Sequence, residues 1–229
     1  MMKPKLLLLS VLSLLSSVAA GAVEYEPTTT WPYVYEDFRE GRIVTHRGNT
    51  LNYDKLNVNI ANGRVHYVEN GIIMQADLNT IALLVIGDDS YMCVEGRMMK
   101  IVKNTASSAV LLKTVIDADA MSSSDIGYGK SSIASTSGLS LSALNSGMDY
   151  SVNRSLDDLV SERSEGQVLE LREISGIYYK GRFVPASRVD VLGIPGIDKD
   201  AVKQFIKTGK IKFNRTDDLA ALVDYLYTL

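Results

Sequence analysis

An α+β fold built mainly from antiparallel β strands is what this 229-residue chain leads one to expect: a twisted β-meander or partly open barrel, two short carboxy-terminal helices and a long Ser/Gly-rich insertion. Three observations carry that expectation. Short apolar runs broken by turn dipeptides fill residues 23–119, which is how hairpin-linked strands read in sequence. Residues 120–166 turn abruptly to serine and glycine. Residues 198–229 carry apolar stripes at helical spacing.

Residues 1–22 read as an export signal. Lys3 and Lys5 give a positive start, residues 6–15 are apolar apart from Ser10 and Ser13, and small residues follow. The run is shorter than the ~20 apolar residues needed to cross a bilayer, so cleavage is expected rather than anchoring. Val18 and Ala20 suit a cut after Ala20, and Ala20 and Ala22 a cut after Ala22, which is preferred. Lipidation at the new terminus would need a cysteine directly after the cut, and the one cysteine is Cys93. The expectation is a periplasmic or secreted protein with no integral membrane span after cleavage.

About 207 residues would then remain, enough for one or two small domains with a hydrophobic core and no need of disulfides. Cys93 reads as a small buried hydrophobe or as a free thiol with an intermolecular role. Without Lys3 and Lys5 the basic residues fall from 24 to 22 against 27 acids, a net charge of −5. That sign argues against nucleic acid as partner and against electrostatic adhesion to anionic lipid, since both need a basic face.

Within residues 23–119, residues 43–45 lead into the turn signal Arg47-Gly48-Asn49, and residues 51–53 begin the return. Leu56, Val58 and Ile60 alternate with Asn57 and Asn59, giving one apolar and one polar face. Asn62-Gly63 favours the positive backbone angles of a tight hairpin; Val65, Tyr67 and then Asn70-Gly71 continue the meander into residues 72–74. Residues 81–86 are a continuous apolar run stopped by Gly87-Asp88-Asp89 and are expected to form a central strand. Residues 91–94, Glu95-Gly96 and residues 98–102 make another hairpin, and residues 109–116 a last strand.

In residues 120–166, serines from Ser122 to Ser146 recur with Gly127, Gly129, Gly138 and Gly147. Such a stretch buries too little to offset the entropy of ordering it, so a mobile insertion is expected, with a short helix around residues 156–161. Residues 167–229 return to order as a hairpin and two helices packed on the β domain. Residues 168–174 and 177–179 read as strands, Lys180-Gly181 as a turn into Phe183 and Val184, and Pro195-Gly196 as a break. Asp198 is placed to cap a helix carrying Val202, Phe205 and Ile206, and Gly209 to end it. Thr216 is placed to cap a second, with Asp217 and Asp218 in its first turn and Leu219, Leu222, Val223 and Leu226 as its core stripe.

Ile177-Tyr178-Tyr179-Lys180-Gly181, the run from Asp198 to Lys207, and Lys210-Ile211-Lys212-Phe213 followed by Thr216-Asp217-Asp218-Leu219 resemble a loosely defined group of secreted and periplasmic Bacteroidota proteins without assigned function. Phe38-Arg39-Glu40-Gly41, with Ile43, Thr45 and Gly48, is similar to the Phe-x-x-Gly start of that group's first hairpin. The resemblance implies a β-rich envelope or secreted protein of a Gram-negative bacterium, carries over no catalytic residue, and does not extend to the Ser-rich insertion.

Residues able to do chemistry are few. His46 and His66 are the two histidines, and if their strands pair they could lie together and, with Asp54 or Glu69, hold a metal. No ligand spacing of a known site accompanies them, so surface histidines are expected, and no cofactor. Asp88-Asp89 and the pair Asp117 and Asp119 lie where turns favour aspartate. No Gly-x-Ser-x-Gly elbow is present, and Gly127-Tyr128-Gly129-Lys130 lacks the strand and helix that frame a phosphate loop. Trp31, Tyr33 and Tyr35 concentrate aromatic surface suited to a sugar or peptide, or pack with Phe38 along an edge of the core. The leading expectation is an exported, non-catalytic envelope protein that binds or scaffolds through sheet edges or the aromatic segment, its partner an envelope protein or a glycan. A small secreted enzyme, a hydrolase with an unrecognised site, is the alternative.

Overall fold

A computed structural model describes residues 24–123, 151–163 and 166–229; residues 1–22, read above as an export signal, most of the Ser/Gly-rich segment and Gly127-Tyr128-Gly129-Lys130 lie outside the described residues. Ten strands form one antiparallel sheet: β1 (Arg39–Thr45), β2 (Thr50–Val58), β3 (Val65–Glu69), β4 (Ile72–Gln75), β5 (Ile81–Ile86), β6 (Asp89–Val94), β7 (Arg97–Asn104), β8 (Ala109–Ile116), β9 (Leu171–Tyr179) and β10 (Arg182–Pro185). Their order across the sheet is β10-β9-β8-β7-β6-β5-β1-β2-β3-β4. The 81–86 run is interior as expected, and the carboxy-terminal hairpin β9–β10 continues the same sheet.

Turn chemistry explains most of the meander. Asn70-Gly71 (φ 51° and 80°), Glu95-Gly96 (53° and 74°) and Lys180-Gly181 (46° and 86°) place both central residues in the left-handed region, the turn that matches the right-handed twist of paired strands. Asn62-Gly63 departs from this. It closes a longer turn in which Asn59 Oδ1 accepts from the Ala61 and Asn62 amides at 2.9 and 3.4 Å, and the Gly63 amide donates to the Asn59 carbonyl at 2.8 Å. The Asn59 side chain organises that connection, not the dipeptide.

The sheet is not closed into a barrel, but it curls. Four strand spacings separate β7 from β2, about 19 Å in a flat sheet. Yet the Met98 amide donates to the Gly63 carbonyl beyond the end of β2 at 2.9 Å, and the Arg97 guanidinium donates to the Ile60 and Ala61 carbonyls at 2.8 and 3.1 Å. The concave face therefore encloses Leu56, Val65 and Leu84, all fully buried, with Ile43, Ile81, Ile86 and Tyr91.

Farther along the sheet, helices take over the covering. Among the described residues the α-helices are α1 (Ala118–Ser123), α2 (Leu156–Ser161), α3 (Arg188–Leu192), α4 (Lys199–Thr208) and α5 (Thr216–Leu226). The stripe Leu219, Leu222, Val223 and Leu226 is buried as expected, against Val110, Ile177 and Tyr179 of β8 and β9 and Val202 and Ile206 of α4. Asp198 caps α4 by accepting from the Asp200 and Ala201 amides, both at 3.0 Å, and Gly209 ends it. Thr216 is not a cap: the N-cap of α5 is Arg215, without a side-chain bond, while Asp218 accepts from the Lys212 amide at 2.9 Å. On the opposite face of the sheet Met99, Leu111 and Phe183 pack together. Gly176 is required there, because a Cβ would meet the Phe183 ring and the Val184 carbonyl at 2.5 Å.

The described end of the Ser/Gly-rich segment, residues 151–163, is packed. Its helix α2 has the expected bounds and buries Leu156 and Leu159 against Trp31, Tyr33 and Ile73. Just before it, the chain runs along the outer edge of β4: Ile73 donates to the Arg154 carbonyl, Asn153 to that of Ile73 and Leu156 to that of Gly71, each at 2.8 Å. One edge of the sheet is thereby covered.

Candidate functional site

The aromatic segment lies inside the molecule. Trp31, Tyr33 and Tyr35 are 1, 0 and 7% exposed, held beside β2 by backbone bonds from Ile60 to the Pro32 carbonyl and from Val34 to the Val58 carbonyl. The Trp31 Nε1–H donates to the Tyr35 carbonyl at 3.2 Å, and the Arg163 guanidinium covers the indole at 4.8 Å. Of the two readings of this segment, packing is the one found; its rings offer no flat face to a sugar.

His46 and His66 are not brought together. His46 is exposed in the β1–β2 turn, whereas His66 is fully buried in β3 opposite Asn57. Seven residues of β2 separate the two levels, about 23 Å. Asp54 and Glu69 are both exposed on their strands. Among the described residues no group of three His, Cys, Asp or Glu side chains is placed to hold a metal. His66 belongs instead to a buried junction. The Tyr33 hydroxyl donates to Ser151 Oγ at 2.8 Å and lies 2.9 Å from His66 Nδ1. Its single proton goes to Ser151, so the histidine donates to the phenol oxygen. Tyr33 thus stands between serine and imidazole, and His66 is not positioned to take the Ser151 proton as a hydrolase would require.

A second cluster joins Tyr35 to side chains of β1, β6 and β7. The Tyr35 hydroxyl donates to Asp89 Oδ2 at 2.8 Å and meets the Tyr91 hydroxyl at 2.7 Å; Lys100 Nζ is 2.7 Å from Asp89 Oδ1, and Arg39 lies 4.3 Å over the Tyr35 ring. Burial pushes the Tyr91 phenol up to about 12, and burial with the bonds to Tyr91 and Asp89 raises Tyr35 further. Burial works against ionised Asp89, but bonds from Lys100 and Tyr35 outweigh it and hold the carboxyl below its ordinary value. At neutral pH this is a carboxylate already bonded to the Lys100 ammonium and to the Tyr35 phenol, which Tyr91 backs in turn, an arrangement that fixes structure and has no spare base. Of the other acidic residues, Asp88 sits in the β5–β6 turn, and Asp117 accepts from the Ala120 amide at 3.1 Å. Cys93 is half-buried, its thiol pushed up by burial.

An open concavity lies at the other end of the sheet. Lys180-Gly181 turns β9 into β10, Pro185 ends β10 by lacking the amide a longer strand needs, Ser187 caps α3, and Pro195-Gly196 turns the chain back toward α4. Between them is a cleft of about 390 Å³, within the range of ligand sites. It is lined by apolar Tyr179, Phe183, Val184, Pro185 and Ile194 and by Glu95, Asp190, Lys180 and Arg182. Asp190 takes the Ser187 hydroxyl and Lys180 lies 5.0 Å over the Tyr179 ring, while Glu95 and Arg182 are exposed. Nothing in the sequence singles these residues out, because the β6–β7 turn that supplies Glu95 is remote from the rest. Comparison with family models, curated proteins and solved structures returned no match to this chain.

Proposed function

We propose that the chain is an exported, non-catalytic envelope protein that binds a segment of another envelope protein in the cleft beside β10. The observation that carries this reading is the cleft itself, a concave site at a sheet edge with an apolar lining and charges of both signs. An extended peptide supplies the same mixture of apolar side chains and paired charges. A glycan is the poorer fit, since carbohydrate sites rely on an exposed aromatic face and the aromatic segment is buried. The histidine, serine and tyrosine groups are engaged in bonds that hold the fold together, which favours binding over hydrolysis.

A pull-down from envelope extracts tests the proposal, comparing the exported protein with a Glu95→Lys and Arg182→Glu double variant of unchanged net charge. A protein retained by the first and lost by the second, with both equally folded, is the expected result. Equal retention, or none above bare resin, removes the cleft as the binding site.

A further inference from the structure

We propose that the basic flank of α4, with the connection that follows it, is a docking surface for an anionic phospholipid bilayer. Residues 201–216 contain Lys203, Lys207, Lys210, Lys212 and Arg215, all exposed, and no acidic residue. Subtracting these five positive charges from the chain's net −3 leaves −8 on the remainder. The mild overall acidity, which taken alone argues against lipid, hides a separation of charge onto one edge, and a surface responds to the edge it meets.

The local geometry keeps these cations available. Lys203 and Lys207 are four residues apart, about 40° around the helix, and Lys210 and Lys212 prolong the stripe past the Gly209 cap. The adjacent acids are engaged: Asp198 caps α4, Asp217 pairs with Lys103, and Asp218 binds the Lys212 amide. Lys203 pairs with Asp200 at 2.9 Å on an exposed surface, a contact of small value, and among the described residues the other four make no ion pair. The helix dipole accounts for a cation or two in the last turn of α4, not for a run that continues beyond it.

Shape decides between anionic partners. The stripe lies on a convex helix flank and a turn, and four of its five members are lysines, point charges without the planar fork that grips one phosphate in two places. Such a surface suits a plane of many phosphates. A linear polyanion would have to run on into the acidic remainder, and the neighbouring rings Phe205 and Tyr225 are stacked on each other at 4.0 Å, so they are engaged rather than presented to nucleobases.

The test is sedimentation of the exported protein with phosphatidylcholine vesicles, with and without phosphatidylglycerol, at low salt and at ~1 M salt, where charges are screened beyond ~3 Å. Expected is binding only to the phosphatidylglycerol vesicles, lost at high salt. Because each basic residue at an anionic surface contributes about fivefold, Lys207→Glu with Lys210→Glu should cut binding at least tenfold. Arg47→Glu with Lys55→Glu changes net charge equally on the exposed β1–β2 hairpin and should leave binding intact, and matching thermal melts show that all forms fold. The proposal is overturned by no binding to anionic vesicles at low salt, by equal loss in the two double variants, or by retention on heparin or DNA in preference to vesicles.

Discussion

Tyr33 joins β3, the segment beside β2 and the chain that returns at Ser151, through one hydroxyl in a fully buried position. Tyr33→Phe keeps the ring and removes both bonds, so a loss of about 1–3 kcal/mol is expected, read by urea denaturation followed through Trp31 fluorescence. A loss within error would mean that the junction contributes packing alone. The Tyr35, Tyr91 and Asp89 group makes a second prediction, for alkaline pH. A phenol raised in the folded state keeps its proton there after unfolded tyrosines, at about 10, have lost theirs. Its stabilisation is complete below that value and disappears as pH rises from there toward about 12, the level to which burial pushes Tyr91. Ultraviolet titration should show a late phenolate step, shared with Tyr25 and smaller by one tyrosine in Tyr91→Phe, and a steep fall in stability over the same window. Residue composition foretold neither group. Ser151 is one serine in a Ser-rich segment, and Tyr33, to which it bonds, lies 118 positions away, a distance over which sequence pattern carries no information about contact.

Among the elements, those governed by local chemistry were legible: the three primed turns, the Asp198 and Gly209 caps, the α5 stripe and the bounds of α2 all follow from neighbours in sequence. What stayed hidden is decided elsewhere in the fold. The composition around α2 reads as an insertion that buries little, yet its two leucines find a ready-made apolar surface in Trp31, Tyr33 and Ile73. Helix α3 is only five residues long, too short for periodicity to register, and it forms because Ser187 caps it and Val191 is buried. The cleft was illegible for a related reason, since its walls come from β6–β7, β9–β10 and α3 together. Leu159→Ala should cost about 2–5 kcal/mol by leaving a cavity over Trp31. It should also loosen the chain along β4 and so expose a strand edge; increased self-association on heating, seen by light scattering, is the second readout.

On the scale of the whole molecule, the curl unites the sheet by touching itself at one place. Arg97 and Met98 reach the β2–β3 connection across four strand spacings, and Arg97→Ala, which deprives two carbonyls of their donor, should lower stability by about 1–3 kcal/mol with little change in strand content by circular dichroism. The antiparallel class and the strand run were readable from alternation and turns, whereas the curl was not, because it depends on which faces meet after the strands have paired. Pairing also has a topological outcome at the other half of the sheet. β8 is matched by β9 over its whole length, Ile116 opposite Leu171 and Ala109 opposite Tyr178, although the two strands are far apart in sequence. The covalent link between them is therefore not what holds the two halves in register. Residues 24–123 and 151–229, expressed as two separate polypeptides, should find each other and rebuild the fold, and their co-purification would make the protein a natural split pair whose assembly can be switched by concentration.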